Sequence, residues 1–185
     1  MKLQSITRPA LSIGAIVLAA MALSTTAPVK AASPQLHDYG PAPEIAGIET
    51  WLNSTPLTIA ALKGKVVLVD FWTYSCINCV HTLPHVTAWY EKYKDQGLVV
   101  IGVHAPEFPF ERSTSNVKTA LVRFGIKYPV AQDNNFATWK AYDNQYWPSI
   151  YLIDRTGKVV LKHAGEGRYE ETEDAIRSLL SAPTG

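Results

Sequence analysis

An apolar stretch that leads into the chain's only two cysteines is the feature that most constrains the fold. Residues 66–72 are apolar except for one aspartate, and three of these seven residues are β-branched, which predicts a buried β-strand. Cys76 and Cys79 follow directly and are the only cysteines in the 185-residue sequence. Apolar residues then recur at helical spacing from Val80 to Tyr93. The sequence therefore predicts that both sulfurs lie where a strand passes into a helix.

This helix is predicted to span residues 76–94 and to end at Gly97. Cys76 then lies at its N-terminus, where unpaired backbone N–H groups and the helix dipole favour a thiolate over a thiol. Cys79 lies one turn further in. We therefore expect Cys76 to attack a disulfide as a thiolate of lowered pKa, and Cys79 to resolve the mixed disulfide that forms. A purely structural bridge between them would close too short a loop to stabilise the fold appreciably.

The first 31 residues have the pattern of a secretory signal peptide. Lys2 and Arg8 give a positive start, residues 11–23 form an uncharged apolar run, and Val29-Lys30-Ala31 is an acceptable cleavage site. The apolar run is shorter than the roughly 20 residues that a membrane-spanning helix needs. We therefore predict that residues 1–31 are a cleaved leader and that the protein is exported to a bacterial periplasm. An uncleaved N-terminal membrane anchor is the alternative.

Residues 32–185 are enough for one hydrophobic core, and no repeat, low-complexity segment or domain break divides them. The full sequence has 17 basic and 16 acidic residues, and three of the basic residues lie in the predicted leader. A nearly neutral chain of this kind gives no reason to expect nucleic acid as a partner. The oligomeric state is left open.

Hydrophobic patterns predict the element order β-β-α-β-α-β-α-β-β-α. Residues 51–58 are interpreted as an N-terminal hairpin, and residues 148–154 and 159–163 as an antiparallel hairpin. The long strand after the helix covers residues 98–103 and, like the first, is apolar without alternation, so helices should cover both faces of the sheet. The fold class is therefore α/β with a mixed central sheet. The remaining predicted elements are a strand at 128–131 and helices at 117–124, 136–142 and 169–181.

Several of these residues resemble motifs of the thioredoxin-like superfamily. Asp70-Phe71-Trp72, Cys76-x-x-Cys79 and Pro84 resemble the active-site block of thioredoxin, and Trp147-Pro148 resembles the cis-proline loop. A second set of motifs resembles the TlpA-like exported branch: Pro41-x-Pro43, residues 63–68 and Leu152-Ile153-Asp154-x-x-Gly157. A third set resembles the thioredoxin-like domain of DipZ-type proteins more closely still: residues 71–79, 101–104 and 133–135.

The resemblance covers residues 41–182 and implies a thioredoxin-like fold with a TlpA-type βα insertion, which residues 104–131 fit. It implies a thiol-disulfide oxidoreductase that contributes to cell redox homeostasis by reducing disulfides of cysteine-containing exported proteins. An oxidising compartment supplies no reductant, so a membrane thiol donor of the DsbD/CcdA type is expected. No bound cofactor is expected. Oxidation of substrates, the reverse direction, is left open.

The resemblance also implies roles for residues around the cysteines. Asp70 matches a buried carboxylate that would have a raised pKa and move the proton of Cys79. The lysine that partners this aspartate in thioredoxin has no clear match, because Gly102 falls near its place. Pro148 would follow a cis peptide bond, and the backbone of Trp147 would pair with substrate.

Three aromatic residues, Trp72, Tyr74 and Trp147, are predicted to form a substrate-binding rim around Cys76. Phe108, Phe110, Tyr142 and Tyr146 are assigned to packing. We therefore expect catalytic roles for two cysteines and one aspartate, and substrate contacts from the rim and from Pro148.

Two other functions use the same cysteines. A metallochaperone could bind copper or zinc with Cys76, Cys79, His81 and His85. A thiol peroxidase is the second, because Thr73 lies three residues before Cys76, as in peroxiredoxins; the proline expected four residues earlier is replaced by Val69.

Overall fold

The helices and strands follow one another in the predicted order. The computed structural model describes residues 35–183, so the predicted leader lies outside the described residues. The strands are β1 (Thr50–Leu52), β2 (Val66–Trp72), β3 (Leu98–His104), β4 (Val130–Gln132), β5 (Ser149–Ile153) and β6 (Val159–Ala164). The helices are α1 (Ile77–Tyr93), α2 (Thr114–Arg123), α3 (Ala137–Ala141) and α4 (Tyr169–Ser181).

One mixed sheet holds all six strands, in the order β1-β4-β3-β2-β5-β6. β2 pairs in parallel with β3, and β3 with β4, whereas β5 and β6 form the predicted antiparallel hairpin. Every residue of the central strand β2 is buried, which explains its run of apolar residues without alternation. Among the described residues, no helix is long and apolar enough to cross a membrane.

The predicted N-terminal hairpin at residues 51–58 is wrong. β1 pairs antiparallel with β4, where Thr50 lies opposite Gln132. Asn53 explains the difference, because it adopts a positive φ of 62° and its side-chain amide donates to the carbonyls of Ile126 and Tyr128 at 3.0 and 3.1 Å. These bonds hold the chain beside the segment that enters β4, so it does not turn back on itself.

Alternating side chains of β2 enter two separate cores, as the period of a strand requires. Leu68 and Trp72 pack with apolar side chains of α1, α2 and α4. Val69 and Phe71 pack on the opposite face, where Tyr142 follows α3. Asp70 shares the alternation of Leu68 and Trp72, so it points into the core that also contains Cys79.

Candidate active site

Cys76 forms the N-cap of α1. Its backbone is extended (φ −73°, ψ 117°), and the N–H of Cys79 points at its sulfur with an N···Sγ distance of 3.4 Å. A hydrogen bond from the Cys79 side chain lowers the pKa of Cys76 most, the N–H groups of Cys79 and Asn78 add to it, and partial burial opposes it. The resulting pKa is about 6, so the Cys76 sulfur is largely a thiolate at neutral pH.

Cys79 has the opposite character. Its side chain is fully buried, and its thiol is hydrogen-bonded to the Cys76 sulfur. That hydrogen bond and burial both raise the pKa of Cys79 far above its ordinary value. Both cysteines are free thiols in this structure. The pair therefore consists of a partly exposed sulfur of lowered pKa and a buried, protonated thiol.

Asp70 lies in the same interior region as Cys79. Within residues 35–183, neither of its carboxylate oxygens has a hydrogen-bond partner. Burial raises the pKa of Asp70 to about 7, and the negative charge of Cys76 adds to this effect. A carboxyl group with this pKa can accept or release a proton near neutral pH, as the predicted role requires.

The structure explains why no lysine partners Asp70 within residues 35–183. Gly102 lies directly opposite Asp70 in the parallel register of β2 and β3. A Cβ atom on Gly102 would lie 2.9 Å from the Trp72 Nε1 atom and 2.9 Å from the Tyr128 Cε2 atom. Two aromatic side chains thus occupy the space that a longer side chain would need.

Trp72 does not lie on the predicted substrate-binding rim. Its side chain has 0% exposure and packs in the core with Tyr128. The physical reason is strand alternation, which places Trp72 on the same face as Asp70. Tyr128, which sequence reasoning did not single out, is also fully buried, and no partner for its hydroxyl or for the Trp72 indole N–H is found among the described residues.

Trp147 and Pro148 form the second loop of the site. The peptide bond between them is cis, and Pro148 is buried. Trp147 is partly exposed, and its indole N–H donates to the carbonyl of Ala105 at 3.0 Å. Trp147, Tyr74 and Cys76 all border the core that contains Cys79. The structure thus brings this loop and the cysteine pair to the edge of one core.

Tyr74 and two phenylalanines border the site on another side. The Tyr74 ring stacks on His104 with centroids 5.6 Å apart, and its hydroxyl donates to the carbonyl of Phe110 at 3.0 Å. Phe108 and Phe110 are 47% and 55% exposed, and their rings lie parallel with centroids 5.7 Å apart. They are therefore surface residues, and their assignment to packing is wrong. The sequence did not predict that these two side chains are exposed, because their exposure depends on the conformation of the irregular loop in which they lie.

The two histidines considered as metal ligands contact the C-terminal part of the chain. His81 Nδ1 lies 3.2 Å from a carboxylate oxygen of Glu166, and the His85 ring stacks on Tyr169 with centroids 3.6 Å apart. Across residues 35–183, no group of three or more histidine, cysteine or acidic side chains is arranged to hold a metal ion.

Comparison with known proteins agrees with this architecture. The protein family described as Redoxin matches residues 39–180. Protein DipZ of Mycobacterium tuberculosis is 50% identical over 177 residues, which are 94% of this chain and 25% of DipZ. The chain thus spans about a quarter of that relative's length.

Two shorter proteins match over nearly their whole length. The thiol-disulfide oxidoreductase YkuV of Bacillus subtilis is 30% identical over 141 residues, which are 76% of this chain and 95% of YkuV. The crystal structure of a thioredoxin-like superfamily protein superposes with a TM-score of 0.72 at 28% identity, covering 78% of this chain and 99% of that one.

Proposed function

The chain belongs to the Redoxin family and has the thioredoxin-like fold, and from that premise we propose that it is an exported thiol-disulfide oxidoreductase that reduces protein disulfides. The observation that carries the proposal is the asymmetry of the two thiols. The pKa of Cys76 is lowered to about 6 at the start of α1, whereas the pKa of buried Cys79 is raised. Thiol-disulfide exchange needs one accessible thiolate and one thiol held in reserve.

In the first step, the Cys76 thiolate attacks one sulfur of a substrate disulfide. The substrate S–S bond breaks, a mixed disulfide with Cys76 forms, and one substrate thiolate leaves. In the second step, Asp70 accepts the proton of Cys79, and the Cys79 thiolate attacks the Cys76 sulfur. The mixed disulfide breaks and the second substrate thiolate leaves. Two electrons have passed to the substrate, and the protein holds a Cys76–Cys79 disulfide.

A membrane thiol donor of the DsbD/CcdA type would return this disulfide to the dithiol, because the proposed compartment is oxidising. Residues 1–31 would direct export and be removed, which leaves residues 32–185 as the thioredoxin-like domain.

The proposed substrates are disulfides of cysteine-containing exported proteins. Trp147, Pro148 and Tyr74 would contact them; this is supported by the packing of Trp147, Tyr74 and Cys76 against the same core.

Two measurements test the proposal. The rate of Cys76 alkylation in the reduced protein should rise with pH around a midpoint near 6, well below the value of about 8.5 for a free cysteine. Cys76→Ser should abolish reduction of a peptide disulfide, and Cys79→Ser should accumulate the mixed disulfide. A midpoint at the free-cysteine value, or full reductase activity in Cys76→Ser, would overturn the proposal.

The reduction potential of the pair decides the direction of electron flow. A value near that of thioredoxin, about −270 mV, would support a reductase, whereas one near about −120 mV would mark a strong oxidant. Titration with Cu(I) separates the metallochaperone, which would bind one ion per chain tightly. Consumption of hydroperoxide in step with thiol oxidation would identify a peroxidase.

A further inference from the structure

The short loop that precedes Cys76 is bonded to one distant segment. We call residues 104–112, which begin at the last residue of β3, the insert arm. Each of the three loop side chains at residues 73–75 makes a hydrogen bond to this arm. The bonds are Thr73 Oγ1 with His104 Nε2 at 3.3 Å, Tyr74 Oη to the Phe110 carbonyl at 3.0 Å, and Ser75 Oγ to Glu111 Oε1 at 2.5 Å.

Glu111 is the buried charge of the insert arm. Its side chain has 0% exposure. Its carboxylate accepts hydrogen bonds from the backbone N–H groups of Glu107 and Phe108, at 2.5 and 2.9 Å, in addition to the Ser75 hydroxyl. Burial raises the pKa of Glu111, but the donated hydrogen bonds outweigh it and hold that pKa below its usual value. The carboxylate is therefore ionised, and both of its oxygens accept hydrogen bonds.

A purely local role explains only part of this arrangement. The bonds from Glu107 and Phe108 stabilise the 3-10 turn Pro109–Arg112, which begins after Phe108. The bond from Ser75 is not needed for that turn, since it joins residues 36 positions apart. Ser75 is itself exposed, so water could satisfy its hydroxyl. What the bond adds is a fixed position for the residue next to Cys76.

We propose that Glu111 is a positioning residue that holds Ser75, and through it Cys76, in the N-cap geometry of the reactive thiolate. This inference rests on the proposed function. The same arm also accepts the Trp147 indole N–H at the Ala105 carbonyl. The insert arm thus connects the loop before the nucleophile with the loop before Pro148.

Charge and geometry predict opposite effects of removing the carboxylate, which makes the proposal testable. The groups that face Cys76 are the thiol of Cys79, the buried carboxyl of Asp70 and the carboxylate of Glu107, which raises the pKa of Cys76. His104, which contacts Thr73 and Tyr74, is kept neutral because burial lowers its pKa to about 4. Deleting a negative charge nearby would lower the pKa of Cys76. Releasing the loop would raise it, because the sulfur would lose its alignment with the Cys79 N–H.

The experiment compares the full chain with Glu111→Gln, Ser75→Ala and the double variant. The readouts are the pH midpoint of Cys76 alkylation and the KM and kcat for a peptide disulfide. Each single variant should raise the midpoint by about 0.5 unit or more, which corresponds to roughly threefold slower alkylation below the midpoint. The double variant should shift the midpoint no further than the larger single change, because both remove one interaction. Ser75→Thr, which keeps the hydroxyl, should restore the parent midpoint.

Glu173→Gln is the matched control, since it also removes a carboxylate that accepts hydrogen bonds, from Lys92 and Tyr93. It should leave the Cys76 midpoint unchanged. An unchanged or lowered midpoint in Glu111→Gln, or an unchanged midpoint in Ser75→Ala, would overturn the inference. If Glu111→Gln does not fold, Ser75→Ala decides alone, because Ser75 is exposed. Failure of the proposed function is distinguishable, because the parent protein itself would then lack a low midpoint or reductase activity.

Discussion

Asp70 and Glu111 are two buried carboxyl groups near the cysteine pair, and they differ in their partners. Glu111 accepts three hydrogen bonds, and its pKa is lowered. Asp70 has no partner among the described residues, and burial raises its pKa to about 7. Burial alone therefore does not decide whether a carboxyl group is charged. The number of donors aimed at it does.

The two environments suit different tasks. A carboxylate held by three donors stays ionised through the working pH range, so it can fix a loop but cannot exchange protons there. A carboxyl group without donors changes its charge near neutral pH, so it can take the proton of Cys79. The region around Asp70 repeats this lack of partners, since the Trp72 indole N–H and the Tyr128 hydroxyl have none within residues 35–183 either. Polar contacts thus order the side of Cys76, and burial tunes the side of Cys79.

The largest expected effect is on the pH dependence of stability. The folded pKa of Asp70, about 7, lies above its unfolded value of 3.8, so ionisation opposes folding. The contribution of protonated Asp70 to the stability of the folded protein is fully present below pH 4 and is lost as pH rises towards 7. Asp70→Asn removes this loss, so its stability relative to the parent should increase by about 4 kcal/mol between pH 4 and pH 8. Denaturant unfolding of both reduced proteins at several pH values measures it.

Glu111→Gln is the opposite control for that measurement. The lowered pKa of Glu111 means that its ionised form favours folding, so its contribution is present above the unfolded pKa and is lost on acidification. Relative to the parent, Glu111→Gln should therefore be less stable at pH 8 than at low pH. A parallel change in the two variants would show that the two carboxyl groups are not held in opposite states.

A smaller but still large effect is expected on the second chemical step. Asp70→Asn removes the group that we propose takes the proton of Cys79, so resolution of the mixed disulfide at pH 7 should slow about 100-fold. Alkylation of Cys76 should persist, because the N–H groups that stabilise its thiolate remain. Rapid-quench measurement of the mixed disulfide separates the two steps. If Asp70→Asn resolves the mixed disulfide at the parent's rate, and if that rate still depends on pH with a midpoint near 7, Asp70 has no part in the mechanism.

Local pattern was enough to predict most of the fold, including the order of elements and the helix Tyr169–Ser181. Its failure at residues 51–58 came from a non-local pairing. A short strand there can pair with its neighbour or with a distant edge, and the bonds from Asn53 to Ile126 and Tyr128 decide for the edge. Nothing in the residues next to Asn53 indicates these partners.

The candidate site divides in the same way. The positions of the two cysteines could be predicted, because the sequence shows an apolar strand before Cys76 and helical spacing of apolar residues after Cys79. The true place of Trp72 was also available, since strand alternation puts it on the face of Asp70 and not on the surface. Glu111 and Tyr128 carried no such signal. Their importance comes from contacts that form only in the folded chain: Glu111 contacts Ser75, and Tyr128 packs beside Gly102.

The smallest expected effect tests the side of Cys79 by removing one atom. Tyr128→Phe deletes a buried hydroxyl that has no partner among the described residues, so the free energy of unfolding should change by less than about 1 kcal/mol. Tyr93→Phe is the matched control, because the buried Tyr93 donates to a carboxylate oxygen of Glu173 at 2.7 Å. Losing a hydrogen bond to a charged group should cost about 1.5–3 kcal/mol. Equal losses of unfolding free energy in the two variants would mean that the Tyr128 hydroxyl is hydrogen-bonded. In that case Tyr128→Phe should also change the pH dependence of stability that comes from Asp70. The contrast between the surroundings of Asp70 and Glu111 would then no longer hold.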